Sequence, residues 1–433
     1  MRVIIVGGGW SGLAAAVDLS QHCDLQIFEA GSTLGGRARS VRWQNLDVDN
    51  GQHLMLGVYQ QMLALMQQIG IDPEAVFSRQ RMDLSIVDPL YKSLKISSLG
   101  ILPAALNQAF HLCQSNGFKS VLAVRRMHKQ LKKIHDLRDL TVADLLQFTR
   151  QPPRLIRQLW EPLSLAMLNT PVNEASAAVF ANVLNTSLFA GDKATELLIP
   201  KQPLGDVLPA PTAAYLSRQG AQINFNNRIQ SLLIDDNRIT GVVDQNGEQH
   251  FADVVVLALP PSALSKLLPE QLNFKPPPEY PICTIYLQYA ACIRAPRSMT
   301  GFSGTLTQWL FDRSFQRPGL MALVISGPGP HMQLSKAELV TTVSAELVSL
   351  LSGWPKSAED TLVIREKRAT FACTPNTQKT RPESQTAIEN LWLAGDFVRH
   401  PFPATLETAI SNGQHCAGQI LQITNETCYN VRE

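Results

Sequence analysis

The chain opens on a wholly apolar, β-branched run, Val3-Ile4-Ile5-Val6, with no polar alternation. Such a run predicts a strand buried on both faces, as in a parallel sheet. Three glycines follow, and Leu13 to Leu19 then reads as helix. A second apolar stretch, Leu25-Gln26-Ile27-Phe28, predicts the next strand. Further on, 222–225, 231–234, 241–243 and 252–259 alternate strand patterns with turns. A last apolar strand, Leu391-Trp392-Leu393, precedes a helix. There Leu406, Ala409, Ile410, Gly413, Cys416, Ala417, Ile420 and Leu421 recur on one face. Residues 76–220 are mainly helical in pattern, broken at Pro152-Pro153 and at Pro209 and Pro211. Pro276-Pro277-Pro278 makes a stiff connector. Beyond it, 283–292, 319–326 and 362–370 read as strands of a second sheet.

The first helix carries the first chemical signal. Gly7, Gly9 and Gly12 form G-x-G-x-x-G around Trp10 and Ser11, between a strand and a helix. Gly7 permits the tight turn, Gly9 lets the backbone approach a pyrophosphate, and Gly12 lets helix and strand pack closely. Phosphates then meet the positive helix N-terminus. Glu29 ends the second strand, 22 residues after Gly7, where a carboxylate accepts from a ribose diol and disfavours a 2′-phosphate. Gly35-Gly36-Arg37 follows, able to close a loop and a guanidinium over the far side of the pyrophosphate. At the other end, Gly395-Asp396 closes the last strand. Pro403-Ala404-Thr405-Leu406-Glu407 leads into the final helix with Thr405 as N-cap.

Composition narrows the class. With 38 basic and 36 acidic side chains the formal net charge is +2, which argues against a nucleic-acid partner. Charged residues are only 17% and hydrophobic ones 45%, which leans towards apolar material. No apolar run is long enough to span a bilayer, and the first is cut too early by glycine for a signal peptide. The cysteines at 23, 113, 283, 292, 373, 416 and 428 are scattered without a CxxC pair and read as reduced thiols of a cytoplasmic protein, not as a zinc site. Lys119, Arg125, Arg126, Lys129, Lys132, Lys133 and Arg138 decorate a helix whose Val124, Met127, Leu131 and Ile134 share one side. A basic amphipathic helix over 119–138 predicts either a peripheral contact with an anionic inner leaflet or a solvated face packed on the core.

The Gly-Gly-Arg loop resembles the signature of the amine oxidase and carotenoid desaturase flavoproteins. Asp49-Asn50-Gly51-Gln52-His53 is similar to the segment that runs beneath the flavin ring in that group. The cofactor implied is FAD, with contacts from Gly7, Gly9, Trp10, Ser11, Gly12, Glu29, Gly35, Gly36, Arg37, Gly51, Gln52, His53, Gly395, Asp396, Ala404, Thr405 and Leu406. The fold implied is α/β. A Rossmann-like FAD-binding domain is assembled from 1–75, 221–270 and 386–425. A mixed α+β substrate domain comprises a mainly helical part (76–220) and a sheet part (271–385), with a tail at 426–433.

Leu159-Trp160-Glu161-Pro162-Leu163, Leu168-Asn169-Thr170-Pro171 and Phe402 to Glu407 carry a narrower resemblance, to the hydroxysqualene dehydroxylases of bacterial hopanoid synthesis. Thr408 and Phe397 stand where that group commonly has Gly and a larger aromatic. The resemblance implies an apolar C30 isoprenoid substrate whose allylic hydroxyl is removed reductively, an electron donor that the sequence does not name, and no metal. His53 and Glu407 are the candidate proton donors. The alternative for each is structural, His53 as a packed or hydrogen-bonded flavin neighbour and Glu407 as a first-turn carboxylate favouring the helix dipole. Two alternatives remain open: a carotenoid-type desaturase or amine oxidase using FAD oxidatively, and a non-catalytic carrier of prenylated chains.

Overall fold

The computed structural model describes residues 1–97, 104–191 and 193–430, and the side chains of 97, 104–108 and 424–430 lie outside that description. Of the predicted tail, residues 431–433 therefore fall outside, as does the Cys428 side chain.

The cofactor half is a five-stranded parallel sheet. Its strands are β1 (Arg2–Val6), β2 (Asp24–Phe28), β3 (Gln222–Asn224), β4 (Val254–Leu257) and β5 (Leu391–Leu393), in the order β3-β2-β1-β4-β5. The apolar run of β1 is explained by its two covered faces. Val3 and Ile5 pack with Leu13, Ala16 and the final helix, while Ile4 and Val6 share a core with Leu264 of the helix Pro261–Leu267 and with Ile239 and Val242 of an antiparallel layer. That layer consists of Ile229–Asp235, Arg238–Asp244 and Gln249–Phe251. Residues 222–224 do not join it. They form the edge of the parallel sheet beside β2, a placement that their short apolar pattern could not distinguish.

Helix α1 (Trp10–Leu19) and helix α2 (Leu406–Asn430) lie against the same face of this sheet and against each other. Glycine sets their separation: a Cβ on Gly413 would meet Ser11 O at 2.2 Å and Ala14 Cβ at 3.1 Å.

The second half is built on a seven-stranded sheet in the order Asp360–Phe371, Glu279–Gln288, Leu320–Ser326, Trp309–Asp312, Met299–Phe302, Asp83–Val87 and Leu94–Ser97. The last two strands fall inside the stretch read as mainly helical. Strands Phe77–Gln80 and Leu197–Pro200 also fall there, and Leu197–Pro200 pairs with Phe77–Gln80 on one side and Met55–Leu56 on the other. These strands are four or five residues long and flanked by helices, so helical periodicity hid them. Trp160, Phe180 and Leu184 are fully buried in the helical layer.

The block 159–171 joins the layers. Asn169, in the left-handed conformation (φ 49°), donates to Thr370 Oγ1 at 2.9 Å and accepts from Gly327 N at 2.6 Å. Thr170 Oγ1 accepts from Cys373 N at 2.9 Å. Among the described residues no helix is long and apolar enough to cross a membrane.

Candidate active site

The glycine loop is shaped by what surrounds it. Gly7 has φ 109°, and a Cβ there would meet Ala258 O at 2.4 Å; one on Gly12 would meet Gly7 O at 2.1 Å. Gly9 differs: a Cβ there would meet only Gly36 Cα, 4.0 Å away. It also precedes α1 without any side-chain cap, so the helix N-terminus keeps free donors. Ser11 Oγ, in the first turn, is buried without a partner. An open glycine, uncapped amides and an orphaned hydroxyl on one helix end fit a pyrophosphate. Glu29 is held by the backbone, accepting from Gly8 N at 2.8 Å and Gly31 N at 2.7 Å. Those two amides orient its carboxylate at the C-terminal end of β2, where a ribose would lie.

The loop carrying Gly35 and Gly36 (φ 105° and 60°) folds back onto the glycine turn. Gly35 N donates to Gly8 O at 2.9 Å, and Trp10 Nε1 donates to Ala38 O at 2.9 Å. Trp10 is therefore a buried brace for this loop. Asn50 adds a second brace, accepting from Arg39 N and donating to Arg37 O.

The two ends of the chain meet in one ion pair. Arg37 Nη2 donates to Asp396 Oδ1 at 2.6 Å, and its Nη1 to Ala369 O at 3.1 Å. Arg37 and Asp396 are thus each other's partner within the protein. A Cβ on Gly395 would strike the Phe397 ring at 2.4 Å, so glycine is required for that ring to pack beneath the turn. Thr405 does cap α2, with Thr408 N donating to its Oγ1 at 3.1 Å, and the Thr408 hydroxyl lies 3.0 Å from the same oxygen.

Sequence reasoning missed Arg381. Nearly fully buried, it donates to the carbonyls of Asp396, Val398, His400 and Phe402 and so fixes the whole turn after β5. Burial pulls its guanidinium down to about 10. A cation that serves backbone carbonyls leaves no partner signal in a sequence. Asn412, on α2, adds a donor to Gly395 O at 2.7 Å.

A cavity opens beside the Asp49–His53 segment. Leu54, Ile199, Pro200, Met299, Phe311 and Phe315 give it apolar walls, and Gln52, His53 and Arg313 are among its polar groups. Burial pushes the His53 imidazole down to about 4, so it is neutral at pH 7. Gln52 Nε2 donates to Tyr286 Oη at 2.7 Å, which donates to Asp49 O at 2.8 Å. Burial raises the Asp49 carboxyl to about 6, although its oxygen accepts from Leu204 N and faces Arg313 Nη2 at 3.7 Å. That guanidinium nitrogen is buried without a hydrogen-bond partner, and sequence reasoning missed Arg313 too.

Glu407 lies elsewhere. Its two oxygens accept from Gln61 N at 2.8 Å and Met62 N at 3.0 Å, capping the helix Gln60–Gln68. A carboxylate filled by amide donors favours its charged form, while burial raises its pKa. In this arrangement Glu407 serves the helix and offers no proton to the cavity. Gly51, Ala404 and Leu406 are each half-buried.

The flavin-containing amine oxidoreductase family model matches residues 10–421. Hydroxysqualene dehydroxylases of Zymomonas mobilis and Rhodopseudomonas palustris are 28% and 29% identical over 95% and 97% of this chain, covering 97% and 98% of their own. A 15-cis-phytoene desaturase of Glycine max is 22% identical over 98% of this chain and 80% of its own. Among solved structures, cyclohexylamine oxidase from Brevibacterium oxydans superposes with TM-score 0.71 at 16% identity, covering 98% of this chain and 99% of its own. Putrescine oxidase gives 0.71 at 14%, covering 97% and 99%. A glycine turn, a backbone-held carboxylate at Glu29 and an ion pair joining both ends of the chain accord with these likenesses: the chain belongs to the flavin-containing amine oxidoreductase family and is an FAD-dependent oxidoreductase.

Proposed function

We propose that the chain reductively dehydroxylates hydroxysqualene to squalene. The observation that carries this reading is nearly full-length similarity to hydroxysqualene dehydroxylases, which takes in 159–171, a block that braces the substrate half and not the cofactor loops. The cavity suits a hydrocarbon with one oxygen: its walls are largely apolar, and Gln52, His53 and Arg313 offer donors.

The glycine turn, Glu29 and the Arg37–Asp396 pair would hold FAD, which in its reduced form would supply the hydride that replaces the hydroxyl. The protein's part is to orient the allylic carbon, exclude water, and see a proton delivered to the departing oxygen so that it leaves as water. The buried Arg313 guanidinium and Gln52 amide can hold that oxygen. A neutral His53 acts there as a hydrogen-bonding neighbour, and the proton is taken from solvent before the substrate displaces water from the cavity. The balance is one alcohol, one proton and one hydride in, one hydrocarbon and one water out.

The test is anaerobic. The purified protein is photoreduced, hydroxysqualene is added, and the oxidised-flavin absorbance is followed. Return of the band with squalene formed one-to-one is expected. A band that stays bleached, while oxidised protein is bleached by a polyene precursor or an amine, would replace this reading with an oxidative one.

A further inference from the structure

The helix Phe118–Leu131 presents two unlike faces. Met127 and Leu131 are fully buried and Val124 packs against the same core. The apolar stripe that predicted membrane contact is therefore the packed side of the helix. The exposed side has its own pattern. Phe118 is 66% exposed and Leu122 41% exposed, and Arg125, Lys129, Lys132 and Lys133 continue the same face at helical spacing.

Two large apolar side chains at one end of a cationic stripe are costly in water and are not needed for solubility. The stripe extends beyond its own helix. Arg126 donates to Thr149 O and Arg150 O, which brings the end of the helix Val142–Phe148 alongside, and Phe148 there is 68% exposed. No acidic residue interrupts 118–133, although the chain as a whole carries a net charge of only +2. The positive charge is thus concentrated where the exposed apolar groups are.

We propose that this face docks the protein on an anionic lipid bilayer, with Phe118, Leu122 and Phe148 inserted at the headgroup boundary and Arg125, Lys129, Lys132 and Lys133 over the phosphates. The chemistry fits both parts. Aromatic and aliphatic tips partition into the interface, and lysine and arginine are drawn to a negative leaflet. A second copy of the chain would set like charges against each other, and a neutral surface would leave the cations unused. Docking goes beyond the proposed reaction and stands whether or not that reaction is correct.

The FAD-loaded protein is sedimented with vesicles of phosphatidylglycerol and of phosphatidylcholine. Binding to the first and little to the second is expected, with loss at high salt. Reversal of two charges, R125E with K129E, is expected to weaken phosphatidylglycerol binding by at least about tenfold. F118S with L122S should weaken it as well, with FAD content and flavin absorbance unchanged in both variants as the check on folding. Equal binding to the two lipids, no binding to either, binding insensitive to both variants, or self-association through Phe118 in place of lipid binding would each overturn the proposal.

Discussion

At the scale of single residues, the candidate site depends in part on side chains whose hydrogen bonds go mainly to backbone. Arg381 serves four carbonyls, so removing it strands acceptors inside the protein. Each orphaned buried group costs about 1–3 kcal/mol. Arg381→Met is expected to lower stability by about 3 kcal/mol or more and to weaken FAD retention, read from a thermal melt and from the flavin-to-protein absorbance ratio. A variant that melts and binds FAD like the parent would remove Arg381 from the site. Gly12→Ala asks the question sterically, because the added methyl would meet Gly7 O at 2.1 Å and backbone has nowhere to go. The expected result is protein purified without yellow colour. Glu29→Arg should also lose FAD, by placing a cation where two amides now orient a carboxylate. Retention of a full complement would refute the ribose assignment.

At the scale of elements, Glu407 stands at the start of α2 as its motif position implied, and a second helix engages both its oxygens. Its place at the start of α2 was legible, but the chain that α2 would meet there was not. The helix Gln60–Gln68 arrives from sequence 346 residues away at Gln61 and takes both oxygens. Glu407→Gln is expected to cost about 1 kcal/mol, the usual scale for losing a charged helix cap, while leaving FAD bound and the pH profile of turnover unmoved. Disappearance of one limb of that profile would restore Glu407 as an acid. The same distinction runs through the fold. The parallel strands and α1 were legible because local pattern and glycine geometry point the same way there. The strands Asp83–Val87 and Leu94–Ser97 were not, since only pairing with Met299–Phe302 makes them part of a sheet. Arg37 and Asp396 could each be picked out, but their pairing is a tertiary fact. Arg313 and Arg381 gave no signal, because neither stands in a motif.

At the scale of the whole molecule, buried histidines tie stability to pH. Burial lowers both His53 and His400 to about 4 from an ordinary 6.5. An unfolded chain therefore takes up these two protons at a higher pH than the folded one does. Stability is full above the unfolded value and falls as the pH drops from 6.5 towards 4. Asp49, raised to about 6, opposes this, since its folded form binds the proton more readily. Among these three groups, two protons against one leave a contribution on the order of 1 kcal/mol lost per pH unit. The raised carboxyls of Asp18, Glu161, Glu279 and Glu407 oppose it, and the lowered His128 and His331 reinforce it. Thermal melts across that window should show His53→Gln losing less Tm on acidification than the parent; an identical pH dependence in the two proteins would contradict the assignment. The joining of distant segments carries a further consequence, for how the protein is made. The glycine turn is synthesised first, but Asp396, the edge strand β5 and the helix that crosses α1 at Gly413 come hundreds of residues later. A nascent chain can thus hold half a cradle for most of its synthesis, and cofactor capture becomes an event of completion. FAD bound where these segments meet would favour the joined form over the unjoined one, so its supply would bear on stability as well as on chemistry.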